Sequence, residues 1–500
     1  MLDQMNKPLL DCGIGIPYPR NLSQSSLPRL LLPQESIFKD LTIANAISPQ
    51  PRQVRGFSFY ENTVSESDLV IAPPTLTNEQ LIRFLNKSIE KSPCGIVSQW
   101  SHDISSPTVP CFKVQSTEQY FNRLAFLSRE AFEGIVIMII GSHGKTSIKN
   151  QLGHMLSQIY NCHYYRDSKN QSWPIYRTLA SIPTNTQIVI IEVATAAQGV
   201  ALTRSSLVKP HVVVVTHIGY DHMNNYQSIE ELIANKFQVF SSISTPGICL
   251  LPYQADLTPI MRSELSKYNV GQILSYGCHS SCDIQLLSAD RNGFSQSIQF
   301  RIKDSIYKKR VPGLECYVPE QALASFGVCA LFNCLDSSNL HGYSNYKSSG
   351  NMYQCLIDGK TILLYDQTAR GNMDGFSSSL EIINTVCSLP IRRKIAVFGP
   401  IYDPSYNAGF KMNCASLVDK LQSSCLDILY TVFDFYDVHG SVNVNFNTNH
   451  FVCIESLAKQ LLKDVEDGDF YIMRASSSKY ELAEIRRAFL RVSTNYKRLY

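Results

Sequence analysis

Several features that mark particular classes of protein are missing from this 500-residue chain. No segment reaches the roughly 18 apolar residues of a membrane span, so no membrane partner is expected. The first 20 residues lack a basic start followed by an apolar core, which argues against a secretory signal. The net charge of +3 is too close to neutral to indicate a nucleic-acid partner.

Organised cysteine motifs are missing as well. The 15 cysteines are odd in number, scattered, and without paired C-x-x-C motifs. Cys278, His279 and Cys282 lie close together, but four good zinc ligands do not assemble around them, and we interpret them as a surface loop. Reduced thiols in a cytoplasmic protein fit this pattern best.

The composition is that of a globular chain with sizeable cores, with an apolar fraction of 44% and a charged fraction of 17%. Strand-like and helix-like segments alternate beyond residue 51, which indicates α/β domains with parallel sheets. The sequence predicts an N-terminal extension at 1–50, a small α/β domain at 51–130, a central domain at 131–340 with a short β-rich insert, and a third α/β unit at 341–500.

A strand, a turn and a helix follow one another from Gly134 onwards. The run Ile135–Ile140 is short and mostly β-branched, which predicts a buried strand, and Ile148–Tyr160 has helical spacing. Such a turn cradles phosphate because backbone N–H groups at the helix N-terminus face the anion, with Lys145 as a point charge and the Thr146 hydroxyl available to Mg²⁺. The predicted cradle comprises Gly141, Ser142, His143, Gly144, Lys145, Thr146 and Ser147.

The match is to a shortened phosphate-loop motif. Ile139 stands where the usual pattern has a further glycine, so the chain reads G-x-x-G-K-T. We interpret the segment as a nucleotide-binding turn because the strand, the turn, the Lys-Thr pair and the helix all agree.

Two other apolar runs also end in polar side chains. IVIIEV at 188–193 carries Glu192 near its end, and HVVVVT at 211–216 is followed by Asp221 and His222. Ligands of parallel sheets bind beyond the carboxyl ends of the strands, so we expect these residues at the same edge as the phosphate turn.

These residues suggest a magnesium site. Glu192 and the Thr146 hydroxyl could hold one Mg²⁺, which prefers hard oxygen ligands and takes few protein groups. A second metal ion would need His222 and another anionic oxygen. Lys236, on the helix predicted at Ser228–Phe240, cannot supply that oxygen unmodified.

The chain resembles the Mur ligase family, the ATP-dependent amide ligases of peptidoglycan precursor synthesis, and is most similar to the MurF type. The resemblance rests on GSHGKTS at 141–147, IIEVAT at 190–195 and THIGYDHMNNYQSIEELIANKFQVF at 216–240. LLYDQTARGNMDGFSSSLEII at 363–383 and RRKIAVFGPIYD at 392–403 parallel the third domain of the family.

The resemblance implies a substrate-binding domain, a central P-loop ATPase domain and a Rossmann-like C-terminal domain that brings the amine. It implies ATP and two Mg²⁺ ions, with a carbamylated Lys236 as the missing anionic ligand. It also implies catalytic roles for Lys145, His222 and Lys236. Small-molecule carboxylate and amine substrates would be joined through an acyl phosphate, with release of ADP and phosphate.

Four segments depart from the family pattern. In the first domain, Tyr60, Glu61 and Asn62 replace Asp-Ser-Arg, which removes a cation that could meet a diphosphate. In the central domain, the stretch 313–321 lacks the His-Asn pair near the adenine, although Gln321 could replace a second Asn as an amide donor and acceptor.

The other two departures lie in the third domain. The MurF-type loop Asp-Ser-Tyr-Asn-Ala-Asn-Pro becomes Asp366 to Met373, in which Asp366 is retained and Arg370 is new and could serve a carboxylate or phosphate. Lys-Gly-Ser-Arg becomes Arg474 to Ser477, which suggests altered handling of the amine. The cofactor-binding candidates outside the phosphate turn are therefore Gln321, Asp366 and Arg370.

Three interpretations follow. The first is a ligase of Mur type that acts on a substrate other than the standard UDP-muramyl peptide, because the departures fall mainly at substrate-facing positions. The second is a divergent MurF enzyme, and the third is a nucleotide-binding pseudoligase without activity. An enzyme needs carbamylated Lys236 and two metal ions, whereas a true MurF needs a UDP site in the first domain.

Overall fold

The computed structural model describes most of the chain in two compact units. The residues described are 29–43, 53–99, 108–167, 171–195, 197–219, 225–292, 294–341, 343, 350–368, 373–386, 391–399, 419–432, 446–475 and 482–499. Among them, the first unit takes residues 29–219, 225–275 and 324–338, and the second takes 276–323 and 339–499. No helix in these ranges combines the length and apolarity needed to cross a membrane.

The first unit begins with a five-stranded sheet. Its elements are α1 (Gln34–Phe38), β1 (Thr42–Ile43), β2 (Gly56–Ser58), β3 (Asp68–Ile71), α2 (Asn78–Ile89), β4 (Gly95–Ser98), β5 (Cys111–Lys113) and α3 (Thr117–Ala131). The strand order is β1-β5-β4-β3-β2, and β2 to β5 run parallel. Thr77 and Gln80 form a capping box that starts α2.

Residues 29–43 pack more closely than the sequence suggested. They fall within the predicted N-terminal extension, yet Leu32 and Ile37 are buried and β1 pairs antiparallel with β5. The Tyr120 hydroxyl also donates to the Ile37 carbonyl at 2.8 Å. These contacts are with segments that are distant in the chain, so the local residue pattern does not predict them.

A parallel sheet forms the rest of the first unit. Its elements are β6 (Ile135–Ile140), α4 (Lys145–Leu156), β7 (Cys162–His163), α5 (Ser172–Ala180), β8 (Ile188–Glu192), α6 (Val200–Val208), β9 (Val212–Val215), α7 (Ile229–Phe237), β10 (Ile248–Pro252) and α8 (Thr258–Leu265). The order β10-β9-β6-β8-β7 is parallel throughout. Every residue of β6, β8, β9 and β10 is buried, as expected for strands covered on both faces.

An antiparallel meander opens the second unit. The elements here are the end of β11 (Gln272–Gly277), β12 (Ile284–Asn292), β13 (Ser295–Ile302), β14 (Ser305–Pro312) and the beginning of α9 (Val318–Leu331). The last two residues of β11 pair with β12, which pairs with β13, which pairs with β14. The β-rich insert is therefore confirmed. The strand β14 was not predicted, because its mostly exposed, basic side chains do not show the apolar pattern typical of a buried strand.

A seven-stranded sheet completes the second unit. Its elements are β15 (Asn351–Ile357), β16 (Lys360–Gln367), α10 (Met373–Thr385), β17 (Arg393–Phe398), β18 (Ile428–Val432), β19 (Asn447–Phe451), α11 (Ile454–Lys463), β20 (Asp469–Arg474), α12 (Ala483–Val492) and β21 (Asn495–Arg498). The order is β19-β18-β17-β20-β16-β15-β21. The first five of these strands are parallel, and a separate apolar core covers each face.

We predict that His211 makes the fold sensitive to acid. Its Nδ1 atom accepts a hydrogen bond from the Val136 amide at 3.0 Å, and burial, with Arg129 nearby, lowers the pKa of His211 to about 4. The unfolded value is about 6.5, so this contribution to stability is complete above that pH and is lost as the pH falls towards the folded pKa. Between about pH 7 and about pH 5, the urea concentration at the midpoint of unfolding should fall less for the His211→Asn variant than for the wild type.

The exposed His279→Asn variant is the control for this experiment, and its acid sensitivity should match that of the wild type. His163 remains in both variants, and burial also lowers its pKa to about 4, so some acid sensitivity will persist. Equal losses for His211→Asn and the wild type would contradict the assignment.

Candidate nucleotide and metal site

The turn between β6 and α4 depends on two glycines with left-handed backbone. Gly141 has φ of 130° and Gly144 has φ of 83°, which is a region that side chains disfavour. A Cβ atom on Gly141 would lie 2.1 Å from the Thr216 Oγ1 atom. The turn therefore brings the loop against the end of β9 in a way that only glycine permits.

Lys145 is the first residue of α4, and its charge stays at the turn. The ammonium donates to the Gly141 carbonyl at 2.6 Å and to the Ser142 carbonyl at 2.9 Å. Gly144 provides no side-chain cap, and Thr146 and Ser147 lie half-buried in the first turn. The helix thus begins at Lys145, three residues earlier than its apolar spacing indicated, and this arrangement suits a phosphate group.

The segment after β9 is joined directly to this loop. The Ser142 amide donates to the His217 carbonyl at 2.9 Å, while the Ser142 hydroxyl donates to the Gly219 carbonyl at 3.2 Å and accepts from the Gly219 amide at 3.0 Å. The His143 and His217 rings stack, with centroids 6.3 Å apart. Two motifs that are about 75 residues apart in the chain therefore form one surface.

Gln254 fixes the same segment from the other side, and sequence reasoning missed it. Its side-chain amide donates to the Ile218 carbonyl at 2.8 Å, and its side-chain oxygen accepts from the Ile218 amide at 2.9 Å. Gln254 follows the carboxyl end of β10, so the strand-end rule that identified the other residues could have found it.

Glu192 is the last residue of β8 and lies beside Ile139 of β6 in the sheet register. Its exposed fraction is 2%, and among the described residues neither carboxylate oxygen has a hydrogen-bond partner. Burying an ionised carboxylate without donors is costly unless a cation compensates it. The Glu192 side chain therefore fits the magnesium site predicted for it.

A lysine on α4 contacts this carboxylate. Lys149 Nζ lies 3.6 Å from Glu192 Oε1, and the exposed fraction of the Lys149 side chain is 3%. Lys149 was not identified from the sequence, although it follows Lys145 by four residues and so lies on the same face of the helix.

Lys236 is buried in α7, with an exposed fraction of 2%. A solvated helix lysine is thereby excluded. Its predicted metal partner His222, together with Asp221, lies outside the described residues.

Asn235, the neighbour of Lys236, holds the segment that follows β8. Its side-chain amide donates to the Thr195 carbonyl at 3.0 Å and to the Tyr226 hydroxyl at 2.8 Å, and its side-chain oxygen accepts from the Gly199 amide at 3.2 Å. Sequence reasoning overlooked this residue because an asparagine inside a helix pattern carries no signal of its partners. Asn235 ties α7 to the same strand end that carries Glu192.

The remaining predicted cofactor residues belong to the second unit. Gln321 is half-buried on α9. Asp366 is buried, and it accepts from the amide and hydroxyl of Thr368 and from Arg486 Nη1 at 2.7 Å. The Asp366 carboxylate therefore has partners within its own domain. Arg370 lies outside the described residues.

Three of the segments that depart from the family pattern meet in the second unit. The Gln367 side-chain amide donates to the Glu315 carboxylate, and its oxygen accepts from Arg474 Nε at 3.1 Å and from the Ser379 hydroxyl at 2.8 Å. Glu315, Gln367 and Arg474 are each at most 4% exposed. These side chains form one buried hydrogen-bond network.

The fourth departure, in the first domain, carries a salt bridge. Lys87 Nζ donates to Glu61 Oε1 at 2.7 Å. The Lys87 cation therefore lies beside this segment, where the sequence had indicated only a neutral residue next to the Glu61 anion.

No three His, Cys, Asp or Glu side chains form a metal-binding group within the described ranges. The predicted magnesium site instead draws on Thr146, Glu192 and Lys236, together with His222, which lies outside the described residues. Cys278 and His279 are exposed and Cys282 is buried, and the described residues around them form no such group.

Residues 139–328 match the family model of the Mur ligase middle domain. The chain is 20% identical over 400 residues to the UDP-N-acetylmuramoyl-tripeptide–D-alanyl-D-alanine ligase of Bacillus subtilis strain 168. That alignment covers 79% of this chain and 84% of the relative.

Two solved structures share the fold. MurF from Acinetobacter baumannii has a TM-score of 0.72 at 17% identity, covering 93% of this chain and 99% of that one. The MurF ligase from Thermotoga maritima, solved in complex with ADP, has a TM-score of 0.65 at 19% identity, with coverage of 88% and 97%. The predicted α/β fold with parallel-sheet domains is confirmed.

We predict that Asn235→Ala destabilises the first unit. The change leaves the Gly199 amide, the Thr195 carbonyl and the Tyr226 hydroxyl without this partner. Each of these hydrogen bonds contributes about 1 kcal/mol net, so the free energy of unfolding should fall by about 3 kcal/mol, measured by urea denaturation. The exposed Gln227→Ala variant serves as the control, and equal midpoints for the two variants would contradict the role of Asn235.

Proposed function

We propose, for a chain that belongs to the Mur ligase family, an ATP-dependent activity that joins a carboxylate to an amine. The observation that supports it most is the position of the buried Glu192 carboxylate, which accepts no hydrogen bond from the described residues and lies in register with β6, the strand that leads into the phosphate loop. Such an arrangement fits a protein that handles ATP together with a cation, because a bound cation offsets the cost of burying the carboxylate.

The reaction that fits the site proceeds in two displacements. An oxygen of the substrate carboxylate attacks the γ-phosphorus of ATP, the bond to the β-phosphate oxygen breaks, and an acyl phosphate and ADP result. The nitrogen of the amine then attacks the acyl carbon, inorganic phosphate leaves, and the nitrogen loses a proton to give the amide.

The residues of this chain would act mainly by binding and orientation. The amides of the phosphate loop and the Lys145 ammonium would hold the phosphates, and Lys145 would exchange its contacts with the loop carbonyls for contacts with the anion. Thr146 and Glu192 would hold Mg²⁺, which supplies charge neutralisation at the transferring phosphoryl group.

A second ion would need Lys236 as a carbamate, together with His222. The burial of Lys236 supports this proposal because a buried lysine loses its charge readily and can then react with carbon dioxide. The carbamate would provide the anionic oxygen that an unmodified lysine lacks.

The substrate is proposed to differ from the standard UDP-muramyl peptide. Tyr60, Glu61 and Asn62 occupy the place of the cation that the family pattern has, and the Glu61–Lys87 salt bridge commits the nearby cation to an internal partner. A divergent MurF activity stays the alternative, because Lys87 could turn to a diphosphate if Glu61 released it. Both readings predict the same chemistry on different carboxylates.

We predict that the protein releases phosphate from Mg·ATP only when a carboxylate and an amine substrate are both present. The panel consists of amino acids, dipeptides and UDP-muramyl peptides, each tested alone and in pairs. The Lys145→Ala variant should release none, because the contact to the β- and γ-phosphates is lost. Turnover with UDP-muramyl tripeptide and D-alanyl-D-alanine would establish the divergent MurF alternative instead.

Two outcomes would contradict this proposal. Unchanged turnover in Lys145→Ala would remove the phosphate-loop assignment. Tight ATP binding by the wild type without phosphate release for any pair would favour the nucleotide-binding pseudoligase.

The Lys236→Ala variant should be inactive but partly rescued by short carboxylic acids. Removal of the side chain leaves a buried space in which acetate or formate can restore an anionic oxygen. Phosphate release is measured across a range of acetate concentrations, with Lys267→Ala, an exposed lysine on the same unit, as the control. Full activity of Lys236→Ala without added acid would remove the carbamate from the mechanism.

A further inference from the structure

We infer that Lys149 is a positioning residue that orients the Glu192 carboxylate for a divalent cation. This inference rests on the proposed function, in which Glu192 binds Mg²⁺. Lys149 is outside the proposed phosphate-binding and metal-binding sets. Its charged side chain lies 3.6 Å from the Glu192 carboxylate.

The burial of both charges is the first argument. The exposed fractions of the Lys149 and Glu192 side chains are 3% and 1%, and the two groups are 3.6 Å apart. Removing two charges from water costs several kcal/mol for each ion, and an attractive pair offsets that cost only in good geometry. A separation of 3.6 Å exceeds a hydrogen bond, so the carboxylate is attracted by the ammonium while its oxygens accept no hydrogen bond among the described residues.

The second argument is that the Lys149 ammonium is anchored elsewhere. It donates a hydrogen bond to the Asp167 carbonyl, in the segment between β7 and α5. The Asp167 carboxylate in turn accepts from Arg177 Nη1 at 3.5 Å, and the Arg177 guanidinium lies 3.7 Å from the centre of the Tyr165 ring. The ammonium is therefore fixed by a group other than Glu192.

This anchor extends to the first sheet. Arg177 Nε donates to the Phe57 carbonyl of β2 at 3.2 Å. The chain of contacts from β2 through Arg177 and Asp167 to Lys149 lies within one compact unit. Lys149 is thus held in a fixed position and can in turn orient the Glu192 carboxylate.

A small cavity lies beside the pair. Its lining includes Lys149, Asp167, Thr178 and Glu192, with Tyr165 and Ile190. Packing therefore does not fix the Glu192 carboxylate on this side. Electrostatic attraction to the fixed Lys149 ammonium therefore helps to restrain it there.

Electrostatic repulsion alone predicts that Lys149 weakens cation binding, whereas a positioning role predicts that Lys149 strengthens it. An ammonium this close to a ligand oxygen repels a divalent cation, so removing it should strengthen cation binding. If Lys149 instead positions the carboxylate, its removal should weaken cation binding, as loss of an outer-shell partner typically weakens metal affinity. The sign of the change therefore separates the two roles.

The test measures the dissociation constant of Mg²⁺ in the presence of saturating ADP by titration calorimetry on the full chain. Loss of an outer-shell partner costs about 10- to 100-fold in metal affinity, so Lys149→Met should bind Mg²⁺ weaker by that factor. Lys149→Arg should stay close to the wild type because it keeps the charge. Lys267→Met, which breaks a surface salt bridge with Glu264, is the matched control and should show no change.

Unchanged or tighter Mg²⁺ binding in Lys149→Met would overturn the inference. If that variant fails to fold, Lys149→Gln replaces it, since the glutamine amide can still donate to the Asp167 carbonyl while the charge is lost, and the same weakening is expected. Failure of the wild type itself to bind Mg²⁺ with ADP would overturn the metal assignment of the proposed function and this inference with it. Normal wild-type binding with an unaffected Lys149→Met variant would overturn the inference alone.

Discussion

The approach of the β6–α4 turn to the end of β9 is the constraint on which the site depends. Gly141 and Gly144 take left-handed backbone, and the space for a side chain at Gly141 is already filled by Thr216. This contact sets where Lys145 begins its helix and where Ser142 meets Gly219. The position of the phosphate loop is therefore a consequence of steric exclusion as much as of hydrogen bonding.

Side-chain amides hold the surrounding strand ends in place. Gln254 binds both backbone groups of Ile218, and Asn235 binds the segment between Thr195 and Gly199. These bonds satisfy backbone groups that lie outside the sheet ladder, and their loss would destabilise the fold. Within this frame, the Glu192 carboxylate accepts no hydrogen bond from the described residues, which suits the cation proposed for it.

The second unit shows that departures from a family pattern need not be independent. Glu315, Gln367 and Arg474 come from three separate segments, yet they share one buried hydrogen-bond network. Substitution at any one of them changes the hydrogen bonding of the others, and such coupled changes are not additive. The three segments that carry Glu315, Gln367 and Arg474 are therefore best considered as one altered set.

The sequence alone determined the kind of fold and the location of the phosphate turn, because apolar runs of strand length and a glycine-lysine turn are local patterns that each segment carries by itself. It also placed Glu192 at a strand end, since the carboxyl edge of a parallel sheet is a topological property. Only the tertiary structure decided which side chains Glu192, Asp366 and Gln367 meet. It likewise revealed β1 and the packing of residues 29–43. Those contacts join segments far apart in the chain, and their energies depend on burial and distance, which no local pattern of residues encodes.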